Sequence, residues 1–207
     1  MTLLLALKVT MKNSKHFAEI IESSLQNFIA QSWVWNTYPT FGSLVTIEHV
    51  KRTLFGVVYQ IKTGSMDPTR YPFPYQKTEQ ELLREQPQIF EFLKTTFTCQ
   101  VLGYQEKGKI YYLLAPEPPN IHAFVGHATK EQNQLFLAHD AYLHLLFGAQ
   151  LNNLDELLLA MLKNQTALGI LGEGKLEHFI ESFSLLTGND YRRLKLFLQR
   201  VEKVVEQ

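Results

Sequence analysis

The sequence predicts an α+β protein: a small β-barrel with a helical insertion, followed by an α-helical C-terminal half. Three observations carry this. Between about Phe17 and Phe124, short runs rich in β-branched and aromatic residues are separated by Gly- and Pro-containing turns. Beyond Thr129 the hydrophobic period changes from two to about 3.6 residues. The chain has 207 residues, 45% of them hydrophobic and 19% charged, enough to bury a core. The barrel with its inserted helices (about 78–96) is assigned to 1–128, and the helical region packed on it to 129–207.

Each element has its own local reason. Ile20-Ile21, Phe28-Ile29 and Trp33-Val34-Trp35 sit among polar positions as strand residues do. Tyr38-Pro39-Thr40-Phe41-Gly42 reads as a turn, and Ser43 to Ile47 then alternates as a half-buried strand. Arg52 to Thr63 is the strongest strand signal, with Gly56 expected at a bulge or a close approach. Gly64 to Pro68 closes it, and the prolines of Tyr71-Pro72-Phe73-Pro74-Tyr75 exclude regular structure there.

Thr78-Glu79-Gln80-Glu81 is a capping box, in which hydroxyl and carboxylate reciprocally satisfy free amides at a helix start. Pro87 ends that helix and begins the next, whose expected buried stripe is Ile89, Phe90 and Leu93. Phe97 to Gly103 returns to strand, Glu106 to Lys109 is a hairpin tip, and Ile110 to Leu114 comes back. Ile121 to Val125 is one last strand. Thr129 to Gln132 is a second capping box, predicting one helix to about Phe147. Asn153 with Glu156 is expected to cap the next helix, which buries Leu154, Leu157, Leu158, Met161 and Leu162. A third helix covers about Lys175 to Leu186 and stops at Gly188. The last runs from about Asp190 to Glu206, with Tyr191, Leu194, Leu198, Val201 and Val205 inward.

The chemistry-bearing residues form no catalytic constellation. Gly169 to Lys175 has the Gly-x-x-x-x-Gly-Lys frame of a phosphate loop, but Leu176 stands where the magnesium-binding Ser or Thr is required. A helix rather than a strand is expected before it, so the string reads as a helix connection. His122 and His127 are five residues apart, as are His139 and His144, and neither pair has the spacing that places two metal ligands on one helical face. His139-Asp140 lacks the helix-borne histidine and distant aspartate of a phosphohydrolase metal site. The single cysteine, Cys99, falls in a strand and reads as a buried thiol. Asp67 with Arg70 reads as a turn-capping pair. The sequence thus assigns no catalytic, metal or cofactor-binding residue. An acid–base role for His122 with a nearby carboxylate is the one enzymatic option.

Twenty Lys and Arg balance twenty Asp and Glu, a poor basis for gripping polyphosphate. The last helix carries Arg192, Arg193 and Lys195, candidate nucleic-acid contacts that read first as a solvated face. Trp33, Trp35, Tyr38, Phe41, Tyr71, Phe73 and Tyr75 are too many aromatics, in turn-rich segments, for a small core to absorb. They are the candidate partner-binding residues. The opening Met-Thr-Leu-Leu-Leu-Ala-Leu-Lys has no basic residue ahead of its short apolar run, and no later segment reaches membrane-span length. The expected location is cytoplasmic.

Several strings together resemble one family. They are Ala18-Glu19-Ile20-Ile21-Glu22-Ser23-Ser24, Phe28-Ile29-Ala30-Gln31, Pro39-Thr40-Phe41-Gly42-Ser43-Leu44-Val45, Leu54-Phe55-Gly56-Val57-Val58-Tyr59, Glu85-Gln86-Pro87-Gln88-Ile89-Phe90 and Pro116-Glu117-Pro118-Pro119-Asn120-Ile121-His122. The order resembles the HAS-barrel family, named for the barrel shared by the HerA helicase and the ATP synthase ring subunits. In particular it resembles the short stand-alone form of oxygenic photosynthetic bacteria. The resemblance implies a six-stranded barrel used for assembly. The ATPase domain of the larger relatives is missing here, so motor and nucleotide functions do not carry over.

The functional expectation is therefore a non-catalytic interaction or assembly module, engaging a protein partner or itself. The Ser43–Ile47 or Arg52–Thr63 strand is expected to present an edge. A nucleic-acid-associated accessory protein, working beside a helicase or nuclease, is the alternative.

Overall fold

Seven strands form one antiparallel sheet in the order β2-β1-β7-β3-β4-β5-β6, and a further β2–β5 pairing closes the first six into a barrel. The strands are β1 (His16–Ser23), β2 (Asn27–Ser32), β3 (Leu44–His49), β4 (Arg52–Ser65), β5 (Leu93–Glu106), β6 (Lys109–Tyr111) and β7 (Phe124–His127). The computed structural model describes residues 15–49, 51–67, 69, 72–188 and 190–205. Tyr71, Arg70, Glu206 and the opening stretch 1–14 lie outside them. Among the described residues no helix is long and apolar enough to cross a membrane.

The uninterrupted apolar run of β4 is explained by burial on both faces, which removes the polar half of the usual alternation. Leu54 and Val58 point into the barrel with Ile20, Phe28, Ile47 and Phe97. Phe55 and Val57 point outward, beneath the helices. Gly56 lies where the β4–β5 register shifts, and a Cβ there would come within 2.9 Å of the Phe28 ring. Both expectations for Gly56, bulge and close approach, hold. Cys99 is fully buried beside it, and burial holds its thiol well above the usual range.

Closure removes the expected free edge at Ser43–Ile47, whereas β4 beyond Val58 pairs with β5 alone and keeps one side open. β3 is paired on both sides, by β4 and β7, and β4 is flanked by β3 and β5 over its first half. A second open edge is β6, which pairs with β5 alone and is only three residues long. It is shorter than the expected Ile110–Leu114 return.

The helices are α1 (Glu79–Glu85), α2 (Gln88–Glu91), α3 (Lys130–Phe136), α4 (Leu143–Gly148), α5 (Leu154–Ala167), α6 (Glu173–Thr187) and α7 (Tyr191–Val205). Both capping boxes form, Thr78 with Glu81 and Thr129 with Gln132. The inserted α1 and α2 bury no residue, and Leu93 belongs to β5 rather than to a helical stripe. Helix α3 does not run on to Phe147. It ends at Phe136, a 3-10 turn (Asp140–Tyr142) follows, and α4 restarts at Leu143. The break lets Phe136, Tyr142, Leu143 and Leu146 all reach the core, a set off the helical period. The Tyr112 hydroxyl donates to the Phe136 carbonyl at 2.7 Å, satisfying an acceptor that the break sets free.

Two further expectations give way around the α5–α7 contact. Asn153 makes no side-chain cap, its backbone at φ −118° and ψ 39° lying outside the extended region usual for an N-cap, and the Glu156 carboxylate pairs with Arg200 rather than reaching back. Tyr191 is 75% exposed, against expectation; Val201 is buried and Leu194 and Val205 pack partly, as expected, and Phe197 joins them in the stripe. Phe197 stacks on Phe183 of α6 at 4.1 Å. Gly188 ends α6 with φ of +65°, as expected. The phosphate-loop-like string proves to be the turn between α5 and α6, with Gly172 as N-cap and no strand before it.

His127 supplies a pH prediction. Its ring stacks on Phe17 at 4.2 Å, and burial lowers its pKa, disfavouring the charged imidazole in the folded state. The unfolded chain binds the proton more readily. Its contribution is complete above the unfolded histidine value of about 6.5, and is lost as pH falls from there through the lower folded value. Urea unfolding across that window is expected to show a slope that His127→Gln flattens; an unchanged slope would remove His127 as the cause.

Candidate functional site

The C-terminal helices cover the β3–β4–β5 side of the barrel and leave the β1–β2–β7 side uncovered, and the candidate site lies there, with the inserted α2 at one rim. A cleft of about 510 Å³ is walled by Trp33 and Trp35, with Glu19, Gln31, Met66 and His122 among its lining. Each wall has a reason to stand where it does. The Trp33 amide donates to the Phe17 carbonyl at 3.0 Å, continuing the β1–β2 ladder, and its indole meets the edge of Phe124 at 5.3 Å. The Trp35 ring stacks on Phe90 of α2 at 5.4 Å, and its carbonyl accepts the buried Thr95 hydroxyl. The Met66 amide donates to the Phe92 carbonyl at 2.8 Å, so the far end of the β4–β5 ribbon forms one rim.

Around the cleft, large apolar side chains face outward. Phe92 is 60% exposed, Phe124 50%, and Met66, Ile121 and Ile21 are each close to half exposed. Ile21 and Phe124 lie in β1 and β7, where a strand facing water would carry polar side chains, and Met66, Phe92 and Ile121 flank strand ends beside them.

The polar element is a Glu19–His122 pair. His122 Nδ1 lies 2.5 Å from Glu19 Oε1, while the rest of the imidazole is exposed. The His122 backbone is held at φ of +68° by a hydrogen bond from its amide to the Ile20 carbonyl. A left-handed conformation at a non-glycine residue costs about 1–3 kcal/mol and is found where surrounding structure fixes a side chain. His122 thus has its carboxylate, in the arrangement that orients an imidazole for proton transfer.

The other candidate aromatics divide. Tyr38 is exposed, and Phe73 and Tyr75 form an exposed edge-to-face pair at 5.7 Å. Phe41 packs into the core shared with the helices, where it completes the seat of α5. Sequence reasoning passed over Ile21 and Phe124. Their signal was available: each is apolar at a position whose immediate neighbour, Ile20 or Val125, already fills the inward face.

The last-helix cations also divide. Arg193 is anchored bidentately to Asp155, with Nε 3.1 Å from both carboxylate oxygens, and its guanidinium lies 5.5 Å from the Phe147 ring centre. The Asp155 contact raises the Arg193 pKa. This arginine joins α7 to α5 and is not free for a phosphate. Arg192 and Lys195 are exposed beside it. Asp67 accepts from the Thr69 amide and hydroxyl at 2.9 and 2.7 Å, a role within the turn, while the Arg70 expected to pair with it lies outside the described residues. Among the described residues no group of three or more His, Cys, Asp or Glu is placed to hold a metal ion.

No protein-family model and no curated protein matches this chain.

Proposed function

We propose that the protein is a non-catalytic interaction and assembly module of the HAS-barrel kind, working in the cytoplasm. The observation that carries this reading is the barrel face that the C-terminal helices leave uncovered, where Ile21, Phe92 and Phe124 are exposed around the Trp33–Trp35 cleft. An apolar patch of this kind, rimmed by Glu19, Gln31 and His122, has the anatomy of an interface centre, in which aromatic anchors are desolvated and polar groups set the register. The resemblance of the strand and connector strings to assembly barrels supports the same reading. The nucleic-acid alternative is weakened by Arg193, which is committed to Asp155.

The test uses two outward positions whose loss leaves both cores intact. Ile21→Asp with Phe124→Asp is expected to abolish co-purification of the partner, or self-association by light scattering, while the thermal midpoint moves little. Equal capture and equal mass in wild type and double variant would overturn the assignment of this face. A Glu19→Gln variant that keeps its partner but binds it more weakly would place the Glu19–His122 pair in the interface.

A further inference from the structure

The Trp33–Trp35 cleft holds an acidic group with little to balance it. Among the described residues its lining includes the Glu19 carboxylate and neither lysine nor arginine. The one other titratable residue there is His122, whose Nδ1 is bonded to Glu19 Oε1 at 2.5 Å. That contact leaves Glu19 Oε2 without a partner among the described residues, on a side chain that is 33% exposed. The β1–β2 register sets Glu19 opposite Gln31, so the two side chains leave the same outer face side by side. The Gln31 carboxamide takes part in no hydrogen bond among the described residues.

Two oxygen acceptors thus stand together in a cleft walled by indoles. Trp33 meets Phe124 edge to face, Trp35 has one face on Phe90, and no cation among the described residues sits over either ring. Both tryptophans are half-buried. An indole face attracts a cation through its quadrupole, and a carboxylate partly removed from water attracts one through its charge. Of the basic side chains, arginine answers every feature at once. Its guanidinium is planar and stacks on aromatic rings, is weakly hydrated, and carries a fork of donors that reaches two acceptors together. The lysine ammonium is compact and strongly hydrated, and fits only the charge.

We propose that the docking partner inserts an arginine side chain into this cleft, an assignment that rests on the docking role of the face. The guanidinium lies against the indoles and donates to Glu19 Oε2 and to the Gln31 side-chain oxygen. Met66 and Leu93, on the same lining, pack on its methylene stem. The exposed Ile21 and Phe124 form the apolar surround that keeps water from such an anchor.

Trp33 and Trp35 are the only two tryptophans of the chain, so intrinsic fluorescence reports from the cleft itself. Titration of the full chain with the peptide acetyl-Gly-Arg-Gly-amide is expected to change that emission, with a dissociation constant on the order of 1 mM. The lysine counterpart should bind several-fold more weakly, and the citrulline counterpart, an uncharged isostere, about tenfold more weakly. Glu19→Gln should weaken the arginine peptide by about tenfold and leave the citrulline peptide unchanged. Gln31→Met, which removes the second acceptor, should weaken the arginine peptide by about threefold and guards against a misfolded Glu19 variant. No response to the arginine peptide, equal binding of arginine and citrulline, or wild-type affinity in both variants overturns the proposal. If the arginine peptide is silent while Ile21→Asp with Phe124→Asp still abolishes capture of the partner, the arginine assignment falls and the docking face stands. Arginine binding with capture untouched by that pair overturns the docking role, and with it the partner's arginine.

Discussion

Replacing Phe55 by alanine is expected to lower stability by about 3–5 kcal/mol and to weaken barrel and helices together. Phe55 is fully buried on the outer face of β4, and its ring stacks on Phe136 of α3 at 4.3 Å. Leu44, Val57 and Leu102 from the strands share that core with residues of all five C-terminal helices. The barrel interior is a separate cluster, but three of its strands contribute their opposite faces to this one. Loss of the ring leaves a cavity at the junction rather than within either half. The measurement is urea unfolding by two signals. The two tryptophans, Trp33 and Trp35, are both barrel residues, so fluorescence follows the barrel while far-UV dichroism follows the helices. Coincident midpoints, both shifted down, are the expected outcome. Helix signal lost well ahead of fluorescence would show two independent units and sink the shared-core account.

What the sequence made legible follows from how local each cause is. Capping boxes are complete within four residues, and Thr78 and Thr129 both behave as written. The α6 stop at Gly188 and the double role of Gly56 are equally local. Barrel closure is not local: whether Ser43–Ile47 is an edge depends on β7, which arrives some eighty residues later and pairs Val45 with His127. The same limit hid the fate of Glu156, whose carboxylate pairs with Arg200 from α7 rather than reaching back to Asn153. For the site, the excess of aromatics was visible and the tryptophans did converge. Which side of the barrel would stay bare was not, because it depends on which strands the C-terminal helices cover. Ile21 and Phe124 mark the open side only once Phe55 and Val57 are seen to be roofed.

Gly103→Ala is expected to cost about 3–5 kcal/mol, far more than alanine at the neighbouring hairpin glycine, Gly108. Gly103 sits at φ of +145°, and a Cβ built there would lie 2.3 Å from the Tyr111 carbonyl oxygen. Neither the backbone angle nor that atom can yield cheaply. The position is the pivot of β5: Phe55 pairs with Gly103 and Gly56 with Val101, so Leu102 is the extra residue of a bulge. Val101 points into the barrel and Leu102 out to the helices, so adjacent residues feed both cores. The bulge also divides the free side of β5, which pairs with β2 over Thr96 to Gln100 and with β6 from Tyr104 onward. Gly108 also has positive φ, at +78°, but a Cβ there meets nothing within 4 Å. Its alanine variant carries the backbone penalty alone, about 1 kcal/mol. Chemical unfolding of the two variants separates steric blockade from backbone preference. Amide exchange should show lost protection across the Gln105–Ile110 pairing in Gly103→Ala only. Equal destabilisation of the two would mean that the close approach to Tyr111 relaxes freely, and that β6 rather than Gly103 absorbs the change.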